Sequence, residues 1–283
     1  MPHKIGFVDN SGGKLAHQNM LVEIMNLTTA NGWTLMRYDD TGSEHELILM
    51  APGMSGTDQI YIGLKTYHSV NSDYYNIIGA CFTGYVPANS FETQPGYMFS
   101  GVPAHNQRID YWLTVNGQRL VLLMKVGTPV YESLYLGKIV PYARPTQYPY
   151  PLVVGGMLDG RPATRFSDTA HSCWVKGNRK NMRLLLNSGE WSQVECWPWN
   201  NTDMLASNAT SYAIRDTGGA MPVLPIILSS ALGMYGELDG VHYTTGFDNV
   251  VENTYEINGS TYVVAQDVYR TGFHDYYAIR MDD

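Results

Sequence analysis

His171 and Cys173 stand two residues apart, with Cys196 further on, and side chains of these types bind zinc. A fourth ligand would have to come from elsewhere in the chain, His105 being one choice, and there is no CxxC spacing to support the set. Such cysteines otherwise pack as small apolar groups, so no metal site is expected. Asp168 and Glu190 are a carboxylate pair of the kind a glycosidase uses. A retaining enzyme would need the two carboxyls about 5 Å apart and an inverting one roughly 6.5–9.5 Å. Trp191, Trp197 and Trp199 could stack on a sugar, although core or interface packing accounts for them better. His45, His68 and His274 each adjoin a carboxylate or a polar turn, but acid–base chemistry needs a convergence that spacing alone does not supply. The local signatures of nucleophilic, zinc-hydrolase and phosphate-loop chemistry are missing. Gly53-Met54-Ser55-Gly56 reads as a turn rather than a nucleophile elbow. The expected catalytic, cofactor-binding and metal-ligating residues are therefore none, and the chain is not expected to be an enzyme.

Whatever the chain does must be positioned by strands. It has 283 residues, 44% of them apolar, which is enough to fill a sizeable core. Its 21 Tyr and 28 Gly favour half-buried strands and turns. The net charge is −8 with few basic clusters, which argues against nucleic-acid binding. Charged residues make up only 16%, where about 25% is usual, and the deficit suggests surface covered by partners. Three cysteines, an odd number, argue for folding in a reducing compartment. The opening MPHKIGFVDN has no apolar core of signal-peptide length, and no apolar run is long enough to span a membrane.

Residues 11–30 predict an amphipathic helix capped by Ser11 and stopped by Asn31-Gly32, with Leu15, Leu21, Ile24, Met25 and Thr28 near helical spacing. Strands are predicted over 33–38, 46–50, 59–67 and 74–82, then an irregular stretch over 83–108. IDYWLTV and QRLVLLMKV form a hairpin through Asn116-Gly117, the pair preferred in a type I′ turn. Leu120 to Met124 is apolar on both faces, so this arm belongs in the centre of a sheet. Further hairpins are expected over 183–196 and 255–265, and a last strand over 275–280; 197–220 reads as a long loop. VLPIILSSALGMYG, from 223, reads as a buried strand or short helix. The expected fold is mainly β, a β-rich α+β chain of antiparallel sheets or a sandwich with one N-terminal helix and long loops. Its expected organisation is a β-rich unit over 1–156 and a looser β-rich region over 157–283, separate or part of the same domain.

Residues 135–156, YLGKIVPYARPTQYPYPLVVGG, join the two halves. Pro141, Pro145, Pro149 and Pro151 forbid a helix or a central strand and hold the segment extended. Tyr142, Tyr148 and Tyr150 alternate with them, and tyrosine offers large contact area at low entropic cost. The segment is either a loop within one domain or a strap that docks on a neighbouring subunit through these tyrosines.

Five stretches resemble a family of tailed-bacteriophage virion structural proteins: GTDQIYIGLKTYHSVNSDYYN (56–76), FTGY (82–85), YWLTVNGQRLVLLMKV (111–126), YESLYLGKIVPYARPTQYPYPLVVGG (131–156) and NGSTYVVAQDVYRTGFHDYYAIRMD (258–282). The resemblance spans most of the chain, and no functional residue carries over from it. It implies a tail, baseplate or connector subunit packed in repeated copies. Its partners would be itself and other tail proteins, with no cofactor, nucleic acid or membrane. Its place would be the virion tail, after assembly in the host cytoplasm. The alternative is a glycan-binding or glycan-degrading tail accessory built on the tryptophans with Asp168 and Glu190.

Overall fold

The computed structural model describes residues 2–142, 151–176, 181–199 and 222–282. It is mainly β, with 49% strand and 8% helix. In chain order the elements begin β1 (His3–Val8), α1 (Ala16–Ala30), β2 (Thr34–Asp39), β3 (Glu46–Ala51), β4 (Ile60–Ser69), β5 (Tyr74–Phe82) and β6 (Met98–Pro103). Then come β7 (Ile109–Val115), β8 (Arg119–Gly127), β9 (Val130–Lys138), β10 (Val140–Pro141), β11 (Leu152–Gly155), β12 (Met182–Leu185), β13 (Trp191–Gln193) and β14 (Glu195–Trp197). The chain closes with β15 (Leu224–Ser230), β16 (Gly233–Tyr243), β17 (Thr254–Ile257), β18 (Ser260–Gln266) and β19 (Tyr276–Arg280).

These strands make three antiparallel sheets. The first, in order β1-β7-β8-β9-β11-β12-β13, is the middle layer. The second is β2-β3-β4-β5-β6, and the third is β14-β15-β16-β19-β18-β17 with β10 beside β16. Residues paired across neighbouring strands share a face. Leu122 pairs with Leu134, and a Cβ on Gly79 of β5 would strike the Leu134 side chain, so that face meets the second sheet. Val121 pairs with Tyr135 and Leu123 with Ser133; Tyr135 accepts from Asp239 N and Ser133 from the Tyr277 hydroxyl, so that face meets the third sheet. This is why β8 is apolar on both sides: Leu120 to Met124 are all fully buried. One core cluster runs from Val8 to Met281, and the middle sheet takes strands from both sides of residue 156.

α1 is the one α-helix among the described residues, and it lies against β1 and β7 of the middle sheet and β2 to β5 of the second. It starts at Ala16, not at Ser11, because Ser11 to Lys14 closes as a turn with Gly12 and Gly13 at positive φ. Asn10 Oδ1 accepts from Ala16 N at 3.0 Å and Gln18 Oε1 from Leu15 N at 2.9 Å, so they satisfy the exposed amides in place of Ser11. Asn31 and Gly32, the latter at φ +85°, end the helix as expected. β6 lies within the stretch read as irregular. It is an edge strand, which tolerates Pro103, and Gly101 lets the Gly160 carbonyl approach to where a Cβ would sit at 2.9 Å. The segment after residue 223 is neither a single strand nor a helix but the β15–β16 hairpin, turning at Ala231-Leu232.

The two Asn-Gly pairs in hairpins behave differently. Asn258 and Gly259 both have positive φ, +52° and +78°, as a type I′ turn between β17 and β18 requires. Neither Asn116 nor Gly117 does. There the Asn116 Oδ1 accepts from the backbone amides of Gln118 and Arg119, at 2.9 and 3.0 Å, and this side-chain turn replaces the type I′ conformation. Gly117 is needed for another reason: a Cβ would lie 2.6 Å from the Gly53 carbonyl oxygen.

Candidate functional site

The chemistry-bearing residues do not converge on an open site. Asp168 is held by Arg165, whose Nη2 lies 2.9 Å from Oδ1 and whose backbone amide donates at 3.0 Å. These hydrogen bonds hold its carboxyl below the usual carboxylate range. Glu190 lies in the β12–β13 turn, where its carbonyl accepts from Leu186 N. Neither residue lines any of the four cavities described for this chain. The tryptophans are tied into their own chain: Trp191 Nε1 donates to Gly96 O at 3.1 Å and Trp199 Nε1 to His274 O at 2.8 Å. Trp197 lies in β14 opposite Ile227.

Cys81, Cys173 and Cys196 are all buried free thiols. Burial pushes each thiol up, so none is poised as a nucleophile. His171 does not face the cysteines as a ligand. Its Nε2 lies 2.7 Å from Glu132 Oε1, and its Nδ1 lies 2.7 Å from the Asp168 carbonyl. His105 packs edge-on against Phe166 at 4.7 Å. Among the described residues no group of three or more His, Cys, Asp or Glu is arranged to hold a metal ion.

Glu132 and His171 form a buried pair that sequence reasoning missed, because a glutamate amid apolar strand residues looks like a surface position. Glu132 is fully buried, and burial lifts its carboxyl to about 7, with His171 offsetting part of the rise. Burial alone would push the His171 ring down, but the Glu132 carboxylate outweighs it and raises the ring. Around the pair, Asp267 accepts from Ser172 Oγ at 2.9 Å, Cys173 N at 2.7 Å and Arg270 Nη1 at 3.0 Å. Neither member of the pair lines a described cavity. The arrangement ties the loop around 165–176 to β9 and β18.

The surface offers more than the interior. A groove of about 350 Å³ is lined by Pro141, Pro151, Leu184 to Ser188, Leu232, Met234 and Tyr235, with no charged side chain among them. Leu232 and Met234, at the β15–β16 turn, are 84% and 70% exposed. A second apolar site lies on β1, the uncovered edge of the middle sheet. Ile5 and Phe7 are 57% and 53% exposed there, on the face that the third sheet covers further along. Arg108 lies over the Phe7 ring, 4.0 Å from its centroid. A third opening, of about 530 Å³, is polar, and its side chains satisfy one another: Lys138 reaches Asp58 at 3.2 Å, and Asn116 and Gln118 donate to Asp239.

The groove's signal was present in the sequence. Hairpin turns are normally polar, and SSALGMYG puts Leu232 and Met234 around a glycine at the turn itself. Of the strap tyrosines, Tyr142 is 45% exposed and its hydroxyl donates to Glu237 of its own chain at 2.7 Å. Its backbone amide donates to Tyr235 O, continuing the β10–β16 pairing. Tyr148 and Tyr150 lie outside the described residues. Compared with protein-family models and with curated proteins, the chain matches none.

Proposed function

We propose that this chain is a structural subunit of a tailed-bacteriophage virion, packed as repeated copies in the tail, baseplate or tail connector after assembly in the host cytoplasm. The observation that carries the reading is the uncharged groove with Leu232 and Met234 standing out beside it. An isolated subunit gains nothing from leucine and methionine at a turn tip; a second copy covering them removes that surface from water. The 16% charged fraction suits the same arrangement, and the exposed edge of β1 offers a further place for a neighbour to pair. Tyr142, Tyr148 and Tyr150 adjoin the groove in sequence through Pro141 and Pro151, and are proposed to share its contact. A head-to-tail contact of this kind closes into a ring when the rotation between copies permits. The role needs no catalytic centre and no cofactor.

The test is assembly. Light scattering and native mass spectrometry of the purified chain should show oligomers, and Leu232→Asp with Met234→Asp should return them to monomer without lowering the melting temperature. Mass spectrometry of purified particles should find the chain in many copies. A wild-type monomer at high concentration, together with absence from particles, would overturn the reading.

A further inference from the structure

Where α1 meets the second sheet, two histidines touch and two more lie within electrostatic reach. His17, in the first turn of α1, is fully buried, and neither of its ring nitrogens has a hydrogen-bond partner among the described residues. His68, at the end of β4, meets it edge-on at 5.2 Å between centroids, and Tyr75 of β5 lies 5.6 Å away. His68 and Tyr75 stack on each other at 5.7 Å. His45, just before β3, and His105, just after β6, are the remaining charge-bearing neighbours of His17. His105 also accepts the His17 backbone amide at its carbonyl, 3.2 Å away. The Nδ1 atoms of His45 and His68 are buried without a partner as well. Buried polar groups are almost always paired, so orphaned ring nitrogens on three neighbouring imidazoles call for an explanation.

Among the described residues no carboxylate acts on His17 itself; the ionisable groups that influence it are the other three histidines. Carboxylates stand one layer out. Glu44 acts on His68, Asp39 and Asp40 together with Lys14 act on His45, and Asp73 acts on His105. An imidazolium at His17 would therefore have two N–H donors and no acceptor. It would also sit at the positive end of the α1 dipole, where a cation is disfavoured. Each neighbour that takes up a proton adds like charge.

We infer that this histidine cage is an acid-operated latch: proton uptake by His17 and its neighbours releases α1 from the second sheet while the sheets themselves stay folded. Closed, the neutral His17 and His68 rings pack against each other and against Tyr75. Open, His17 reaches water and carries its proton there. Burial pushes the folded His17 ring down to about 3 from an ordinary 6.5, and burial also lowers His45, His68 and His105. A group whose folded value is depressed in this way favours the open form only below its ordinary value. The window therefore runs downward from about 6.5, with about a tenfold gain in the open form per pH unit for His17 alone. The other three rings steepen the response. Release uncovers Met20, Leu21 and Ile24, all fully buried when the helix is docked.

Hydrogen exchange read by mass spectrometry on the full chain between pH 7.5 and 4.5, corrected for intrinsic exchange rates, tests the inference. The expected result is that peptides covering 16–30 lose protection below pH 6.5 by at least tenfold per unit, while peptides of β8 and β9 keep theirs. His17→Phe keeps an aromatic ring and removes the titration, and should flatten the slope for α1. The inference fails if α1 and β8 lose protection together, if α1 stays protected down to pH 4.5, or if His17→Phe keeps the wild-type slope. Imidazole nitrogen resonances of the wild-type chain give a second readout that needs no variant. A His17 ring that titrates near 6.5 with α1 still protected would also overturn it.

Discussion

Leu122 shows how a single position reports on the layer around it. It is fully buried and pairs with Leu113 on one side and Leu134 on the other. Leu122→Ala should cost about 2–5 kcal/mol in denaturant unfolding; a change within about 0.5 kcal/mol would mean a surface position. Gly117→Ala should cost about 1–3 kcal/mol, because its Cβ would meet the Gly53 carbonyl, which is backbone and cannot rotate away. Glu132 and His171 give a pH signature. Both bind protons more tightly in the folded chain than their ordinary values of 4.5 and 6.5 imply. Their stabilisation is therefore full at low pH and is lost as pH rises through about 7. Denaturant midpoints should fall as pH rises from 6.5 through about 7, the upper end of a Glu132 window that opens at 4.5 and overlaps that of the α1 histidines below 6.5. Glu132→Gln should flatten that fall, and equal slopes for the two proteins would count against the shared proton. At this scale the apolar core was legible, since alternation marks which side chains point inward. The pairing of Glu132 with His171 was not, because nothing local in the sequence brings two residues on different elements together.

At the scale of elements, legibility followed the range of the forces involved. Tyr74 to Phe82 emerged at its observed ends, and the β7–β8 and β17–β18 hairpins emerged as hairpins, the first without the expected type I′ turn and the second with Ser260 in the strand rather than the turn. These depend on neighbours in sequence. The start of α1 did not emerge, since its cap comes from Asn10 Oδ1 reaching past a glycine turn, a loop conformation that spacing does not encode. Asn10→Ala should cost about 1 kcal/mol and fray the first turn of the helix; a Ser11→Ala variant should leave helix content unchanged by circular dichroism, and the reverse pattern would mean the cap is misassigned. β6 was obscured by Gly101 and Pro103, residues that disfavour a strand unless it lies at an edge with another segment pressed against it.

Across the whole molecule, three layers explain a sequence rich in apolar runs and poor in charge. A middle sheet covered on both faces needs apolar residues at consecutive positions, and the outer sheets need them on alternate ones. Some apolar groups are left exposed, at Leu232 and Met234 and at Ile5 and Phe7. A Tyr148→Ala, Tyr150→Ala variant that melts as the wild type but fails to enter particles would assign the strap to the contact between copies. Normal melting with wild-type assembly would reduce it to a connector. The layered architecture was legible only in part: the two-sided burial of β8 was foreseen, but not which sheets would cover it.

The order of strands in the middle sheet has a consequence for synthesis. β1 is synthesised well before β7, its one partner among the described strands, and the whole second sheet is made between them. That second sheet is a plain meander from β2 to β6 and can close from contacts local in the chain, whereas β1 waits unpaired until β7 and β8 emerge. Nascent chains stalled before residue 109 should therefore hold a protected β3–β4–β5 meander and a protease-sensitive β1, and refolding should show β1 acquiring exchange protection last.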